Sequence, residues 1–151
     1  MTNQDFTTTV SVDQSPEDVF GAITNVRGWW SENIEGPTDR LGAEFTYHHQ
    51  DLHRSRMKIV ELVPGRRVAW LVLDNSFKFI KDQTEWTGTT IVFDISTTDG
   101  QTQLRFTHEG LVPDYECFDI CSTAWASYIN SSLRALIQTG TGHPNPKEAA
   151  A

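Results

Sequence analysis

The chain has 151 residues, with 12 Lys plus Arg against 20 Asp plus Glu and a formal net charge of −8 when the histidines are neutral. That length supports one substantial core and is short for two, and net acidity works against non-specific attraction to phosphate backbones and anionic membranes. Met1-Thr2-Asn3-Gln4-Asp5 lacks the basic-then-apolar order of a secretory leader, so a cytoplasmic location and no stable membrane insertion are expected.

In chain order, Phe6, Thr8, Val10 and Val12 alternate with Thr7, Thr9 and Ser11, which predicts a first strand over 6–12. Ser15-Pro16-Glu17-Asp18 then supplies an N-cap, a first-turn proline and two acidic groups near free amides, so a short helix starts here with Val19, Phe20 and Ile23 on its packing face. Gly28-Trp29-Trp30 follows as a second short helix or tight turn. Adjacent indoles on a regular helix diverge, so one is expected in the core and the other at its rim.

Strands are expected over 43–49, 55–62 and 67–73, the last two joined by Val63-Pro64-Gly65-Arg66, and a further hairpin over 85–96 and 102–108 turns at Thr98-Asp99-Gly100. In its second arm Leu104, Phe106 and His108 share one face. The stretch Asn75 to Thr84, with Phe77, Phe79 and Ile80 among lysines and an aspartate, reads as a loop or short edge strand. From Tyr115 to Gln138 one long helix is expected, with Phe118, Cys121, Trp125, Ile129, Leu133 and Leu136 as its apolar stripe. Such a stripe must lie against something. The order of elements therefore predicts an α+β fold in which a curved antiparallel sheet grips the C-terminal helix and leaves an apolar chamber between them. The glycines and prolines after 139 end the helix, which sets the domain at 1–142 and a flexible tail at 143–151.

Pro16-Glu17-Asp18-Val19-Phe20, Gly28-Trp29-Trp30, Glu85-Trp86-Thr87-Gly88-Thr89-Thr90 and Phe106-Thr107-His108-Glu109-Gly110-Leu111 resemble the Hsp90-ATPase-activator-homologue branch of the START-like (SRPBCC, Bet v 1-like) superfamily. The resemblance extends over nearly the whole chain and implies a helix-grip fold with short N-terminal helices and a cavity under the long helix. It also implies the range of uses found among such relatives: binding hydrophobic small molecules or lipids, cyclase- or hydrolase-type chemistry in the same cavity, or association with chaperones.

Binding of a hydrophobic small molecule is the leading expectation. Its aromatic wall is sought among Trp29, Trp30, Phe45, Tyr47 and Trp70, and among Phe77, Phe93, Phe106 and Trp125, with Met57, Cys121 and Tyr128 beside them. Each of these also suits an ordinary core. His108, on the Phe106 face, is the candidate general base if there is turnover, assisted by Tyr128 or by a cross-strand carboxylate such as Glu61. The competing role for His108 is a buried imidazole satisfied by backbone or by Tyr128, and Glu85 is a further carboxylate able to approach it. Cys117 and Cys121 read as small apolar packing groups rather than as a thiol pair or metal clamp, so no metal and no cofactor are expected. No GxxxxGK[ST] phosphate loop occurs. Arg54, Arg56 and Lys58 share a strand face but fit a solvated exterior better than a nucleic-acid track. A protein partner would use the outer sheet or the Phe77, Phe79 and Ile80 cluster.

Overall fold

A computed structural model describes residues 5–49, 53–78, 81, 84–113 and 115–145. Seven strands, β1 (Phe6–Val12), β2 (Ile34–Glu35), β3 (Glu44–His49), β4 (His53–Val63), β5 (Arg67–Phe77), β6 (Thr90–Thr98) and β7 (Gln101–Glu109), form one antiparallel sheet in the order β1-β7-β6-β5-β4-β3-β2. The first strand pairs with the last, Phe6 opposite His108 and Val12 opposite Thr102. Asp99 and Gly100 both take positive φ, 52° and 80°, as a two-residue hairpin turn of matching twist requires. Register shifts between Arg56 and Met57 and between Ile59 and Glu61 mark bulges in the β4–β5 pair. Bulges bend and twist their strands, and here they bend the sheet around the helix.

Alternation decides which face is buried. Thr102, Leu104, Phe106 and His108 of β7 point inward, as do Phe45 and Tyr47 of β3 and Met57 and Ile59 of β4. The outer face carries ion pairs: Arg56 reaches Glu44 at 3.0 Å and Asp74 at 2.9 Å, Arg54 reaches Asp74 at 3.2 Å, and Arg67 joins Glu61 and Asp94. Exposed pairs of this kind each contribute at most about 1 kcal/mol. They pair the two arginines expected on this face, Arg54 and Arg56, with carboxylates.

The helix α1 (Pro16–Thr24) starts as expected, the Ser15 hydroxyl accepting the Asp18 amide at 3.1 Å, and it buries Val19, Ala22 and Ile23. A single 3₁₀ turn, Val26–Gly28, follows. Both tryptophans after it are buried, against the expected core-and-rim split, and their rings lie within 17° of parallel at 6.2 Å. Parallel neighbours are feasible because the chain leaves helical geometry at Trp29, where φ is −136° and ψ −30°.

The C-terminal helix is α2 (Phe118–Ser127), a π-helical segment Tyr128–Leu133 and α3 (Arg134–Thr139) in succession. Its buried apolar positions are Cys121, Trp125, Ile129, Leu133 and Ile137, a spacing of four, with Ser132 buried beside them. On a pure α-helix at 3.6 residues per turn that spacing drifts by about 160° over sixteen residues. The wider π turn absorbs much of the drift, with the Arg134 amide reaching back five residues to the Ile129 carbonyl. Leu136, expected on the stripe, is only partly buried beside the core.

Glu85 caps this helix from outside. Cys117 at the N-cap makes no side-chain capping bond, while the Glu85 carboxylate accepts the Glu116 amide at 2.8 Å and the Cys117 amide at 3.0 Å. That corrects the expectation that Glu85 approaches His108. Glu85→Ala is expected to cost about 1–2 kcal/mol, the range for losing an N-cap acceptor, and Glu85→Gln about half as much. Urea midpoints would check this; equal stability of Glu85→Ala and the parent would remove Glu85 as the cap.

Beyond Gly140 the chain turns back across the helix. Gly142 fits so closely that a Cβ there would collide with the Gly28 carbonyl oxygen. The His143 amide donates to the Ser132 hydroxyl at 2.8 Å, and Asn145 exchanges backbone bonds with Trp30 and Glu32 at 3.0 and 2.9 Å. Residues 143 to 145, the first of the segment assigned to a flexible tail, are thus tied to the domain; the remainder of that assignment, 146–151, lies outside the described residues. So do Phe79 and Ile80 of the expected interaction cluster, while Phe77 is fully buried on β5.

Candidate functional site

A cavity of about 170 Å³ lies between the sheet and the first turns of the C-terminal helix. Strand β3 contributes Tyr47 and His49, and β4 contributes His53, directly opposite His49 in register. The helix lines it with Ile120, Cys121, Ala124, Trp125 and Tyr128, Trp30 closes one wall, and Trp86 enters from the turn before β6. Ile120, 57% exposed, marks the mouth.

Ring contacts fix these walls. Trp30 stacks on Tyr47 at 4.1 Å and 16°, Trp86 stacks on Trp125 at 5.6 Å and 13°, and Trp125 meets Trp30 at 4.9 Å. Aromatic pairs at such separations hold one another beyond simple area burial. Among the described residues, none of those lining the cavity is Asp, Glu, Lys or Arg, and no group of three or more His, Cys, Asp or Glu is placed to hold a metal ion.

Of the residues expected to line a pocket, Trp30, Tyr47, Cys121, Trp125 and Tyr128 do so. Trp29, Phe45, Met57, Trp70, Phe77, Phe93, Phe106 and His108 do not; they are fully or almost fully buried in the core behind it. Trp29, for instance, packs on Trp70 at 6.4 Å and on Phe93 at 5.9 Å. Facing inward on a strand gives a side but not a depth. The residues missed are His49, His53, Trp86, Ile120 and Ala124.

His108 has both ring nitrogens engaged. The Trp125 indole N–H donates to Nδ1 at 3.1 Å, so the proton of the neutral ring sits on Nε2 and points at the Thr89 hydroxyl, 2.8 Å away. Thr89 in turn donates to the Trp86 carbonyl at 2.6 Å. Burial pulls the His108 pKa from the usual 6.5 to about 3, because an imidazolium would lose its water without gaining a counterion and would repel the Trp125 N–H. The partners are Thr89 and Trp125, not Tyr128 as the sequence suggested. A base in this state has no free lone pair, so the geometry removes His108 as the candidate proton acceptor. Glu61, bound to Arg67 at 2.9 Å on the outer face, is likewise removed as its assistant.

His53 lines the chamber beside His49. Its Nε2 lies 2.7 Å from the Ser55 hydroxyl, and the rings of Tyr47, Phe77 and Trp86 surround it at 4.5 to 4.9 Å. Burial first, then proximity to His49 and His108, lower its pKa to about 3. Both rings, His53 and His108, are thus held neutral. Burial and the shared hydrogen bond with Tyr128 push the Tyr47 phenol up. Cys117 and Cys121 are free and buried. The hydrogen bond between the two thiols, with burial, raises the Cys117 pKa, and a thiol held protonated is a poor nucleophile. The Trp86 indole N–H finds no well-aligned acceptor, although it approaches this thiol closely enough to favour the thiolate slightly.

Comparison with known proteins places this geometry. The family model described as Activator of Hsp90 ATPase homolog 1-like protein matches residues 13–138. The chain belongs to this family. Among solved structures it is similar to the Aha1 dimer from Colwellia psychrerythraea, at 25% identity and a TM-score of 0.73, covering 92% of this chain and 99% of that one. DynU16, from the dynemicin biosynthetic locus, shares the fold at 16% identity and a TM-score of 0.68, with 93% of this chain and 49% of that one covered. CalU16 from Micromonospora echinospora does so at 16% identity and 0.63, with 91% and 75% covered. No curated protein matches the chain. Both the family and the curved sheet around the helix agree with a helix-grip domain of the ligand-binding kind. Among the described residues no helix is long and apolar enough to cross a membrane.

Proposed function

We propose that this domain binds a small hydrophobic molecule in the chamber between β3, β4 and the C-terminal helix. The observation that carries the reading is an apolar cavity of about 170 Å³ walled by three tryptophans and two tyrosines and open at Ile120. Pockets that hold whole drug-sized molecules run to roughly 300–1,000 Å³, so a lipid chain exceeds this space and a compact molecule suits it. The engaged state of His108 supports binding over general-base turnover. Ala124, at the mouth, offers the test: Ala124→Phe would fill the opening from an exposed helix position. Tryptophan fluorescence titrations with small apolar compounds should show binding to the parent and at least a tenfold loss in the variant. Native mass spectrometry of gently purified protein would show whether a molecule is already held. The reading is lost if no compound of this size perturbs the tryptophans, in protein freed of any co-purified molecule.

A further inference from the structure

The polar end of the chamber specifies more than hydrophobicity. The Asn145 side-chain nitrogen donates to the Tyr128 hydroxyl at 2.8 Å and approaches that of Tyr47 at 3.4 Å. Asn145 is itself held by its backbone bonds to Trp30 and Glu32, so this cluster is built by the chain that folds back over the helix. The two phenols carry two O–H protons between them. One can be shared in the contact between the two hydroxyls, and Asn145 offers both of them its donor side, so one proton remains without an acceptor among the described side chains of this cluster. An unused donor on the wall of an apolar cavity is satisfied by an acceptor on the occupant.

Charge points the same way. With no Asp, Glu, Lys or Arg among the described lining residues and the His53 ring held neutral by burial, an ionic occupant would lose water without meeting a permanently charged partner there. Size limits it further, since a dry cavity of about 150 Å³ accommodates benzene and this one is about 170 Å³. We infer that the chamber takes a neutral single-ring compound carrying one hydrogen-bond acceptor, seated with that acceptor on the Tyr47–Tyr128 pair. This rests on the chamber being a binding site at all. Phenol is the simplest member of the class, toluene its shape-matched counterpart without the acceptor, and benzylammonium and benzoate its charged relatives.

Titration of the full chain, followed by the ¹H–¹⁵N signals of the tryptophan indoles, tests both levels. Phenol and toluene should each shift the indole signals of Trp30, Trp86 and Trp125, and the two ions should bind at least about a hundredfold more weakly. The double variant Tyr47→Phe with Tyr128→Phe, which removes both phenolic protons, should reduce the preference for phenol relative to toluene by about fivefold, the worth of one hydrogen bond. Asn145→Asp should do the same by a different route, because its carboxylate would take the leftover proton. Toluene binding with an unchanged phenol-to-toluene ratio in both variants would overturn the acceptor assignment and leave the chamber standing. Benzylammonium or benzoate binding as well as phenol would overturn the neutrality. Failure of phenol and toluene alike to move any indole would overturn the chamber itself.

Discussion

Acidification through the histidine range is expected to weaken the folded state steeply, well before the carboxylates titrate. His108 and His53 have an ordinary pKa near 6.5 when unfolded and about 3 when folded. Between those values the unfolded chain binds protons that the folded chain refuses, so stability is fully present above pH 6.5 and falls as the pH drops toward 3. Each histidine that stays neutral on folding changes the folding equilibrium constant by about tenfold per pH unit inside that window. Both His108 and His53 are expected to contribute to the slope. Urea midpoints at pH 7.5, 6.0 and 5.0 would measure it, since most carboxylates remain ionised there. His108→Gln, which can still accept from Trp125 and donate to Thr89, should remove one histidine's share of the slope. Equal midpoints at pH 6.0 and 5.0 would show that neither ring is held neutral.

The fold was legible because its determinants are local. Period-two alternation marks β1 over the span it occupies, and the Ser15 cap and the Asp99-Gly100 turn announce themselves by residue type. Strand ends shifted where pairing partners extend the ladder: β4 begins at His53 and β5 runs to Phe77 because these two residues face each other. The chamber was less legible, for a reason particular to this sheet. Alternation correctly sends Phe45, Trp70, Phe93 and Phe106 inward, but only the three-dimensional stacking of Trp29, Trp30 and Trp70 decides that the space beside them is filled. Trp86 was read as strand and is instead in a turn, which is what carries its ring under Trp125. The π segment left one signal that a helical-wheel reading passes over. Cys121, Trp125, Ile129, Leu133 and Ile137 keep a spacing of four with no correction to three, which a regular α-helix cannot hold on one face.

Trp125 is where fold, chamber and histidine state meet, so its substitution should have the largest effect of any single change. Its ring touches Trp30, Phe106, Trp86 and Tyr128, and its N–H is what holds His108 in one tautomer. Trp125→Ala is expected to cost roughly 3–5 kcal/mol from lost burial and the cavity left behind, a large part of the roughly 5–15 kcal/mol that holds a typical domain together. Trp125→Phe separates the two roles. It keeps an aromatic ring against Phe106 but deletes the N–H, leaving His108 Nδ1 a buried acceptor with no donor, at a cost of roughly 1–3 kcal/mol. With the opposing N–H gone, Nδ1 becomes the atom that can take a proton, so the folded His108 pKa should rise toward its unfolded value. The acid slope between pH 6.0 and 5.0 should therefore be shallower in Trp125→Phe than in the parent, even though the variant is less stable at pH 7.5. A Trp125→Phe variant with parental stability at pH 7.5 and an undiminished acid slope would mean that His108 is kept neutral by burial alone, and that the indole N–H contributes nothing to it.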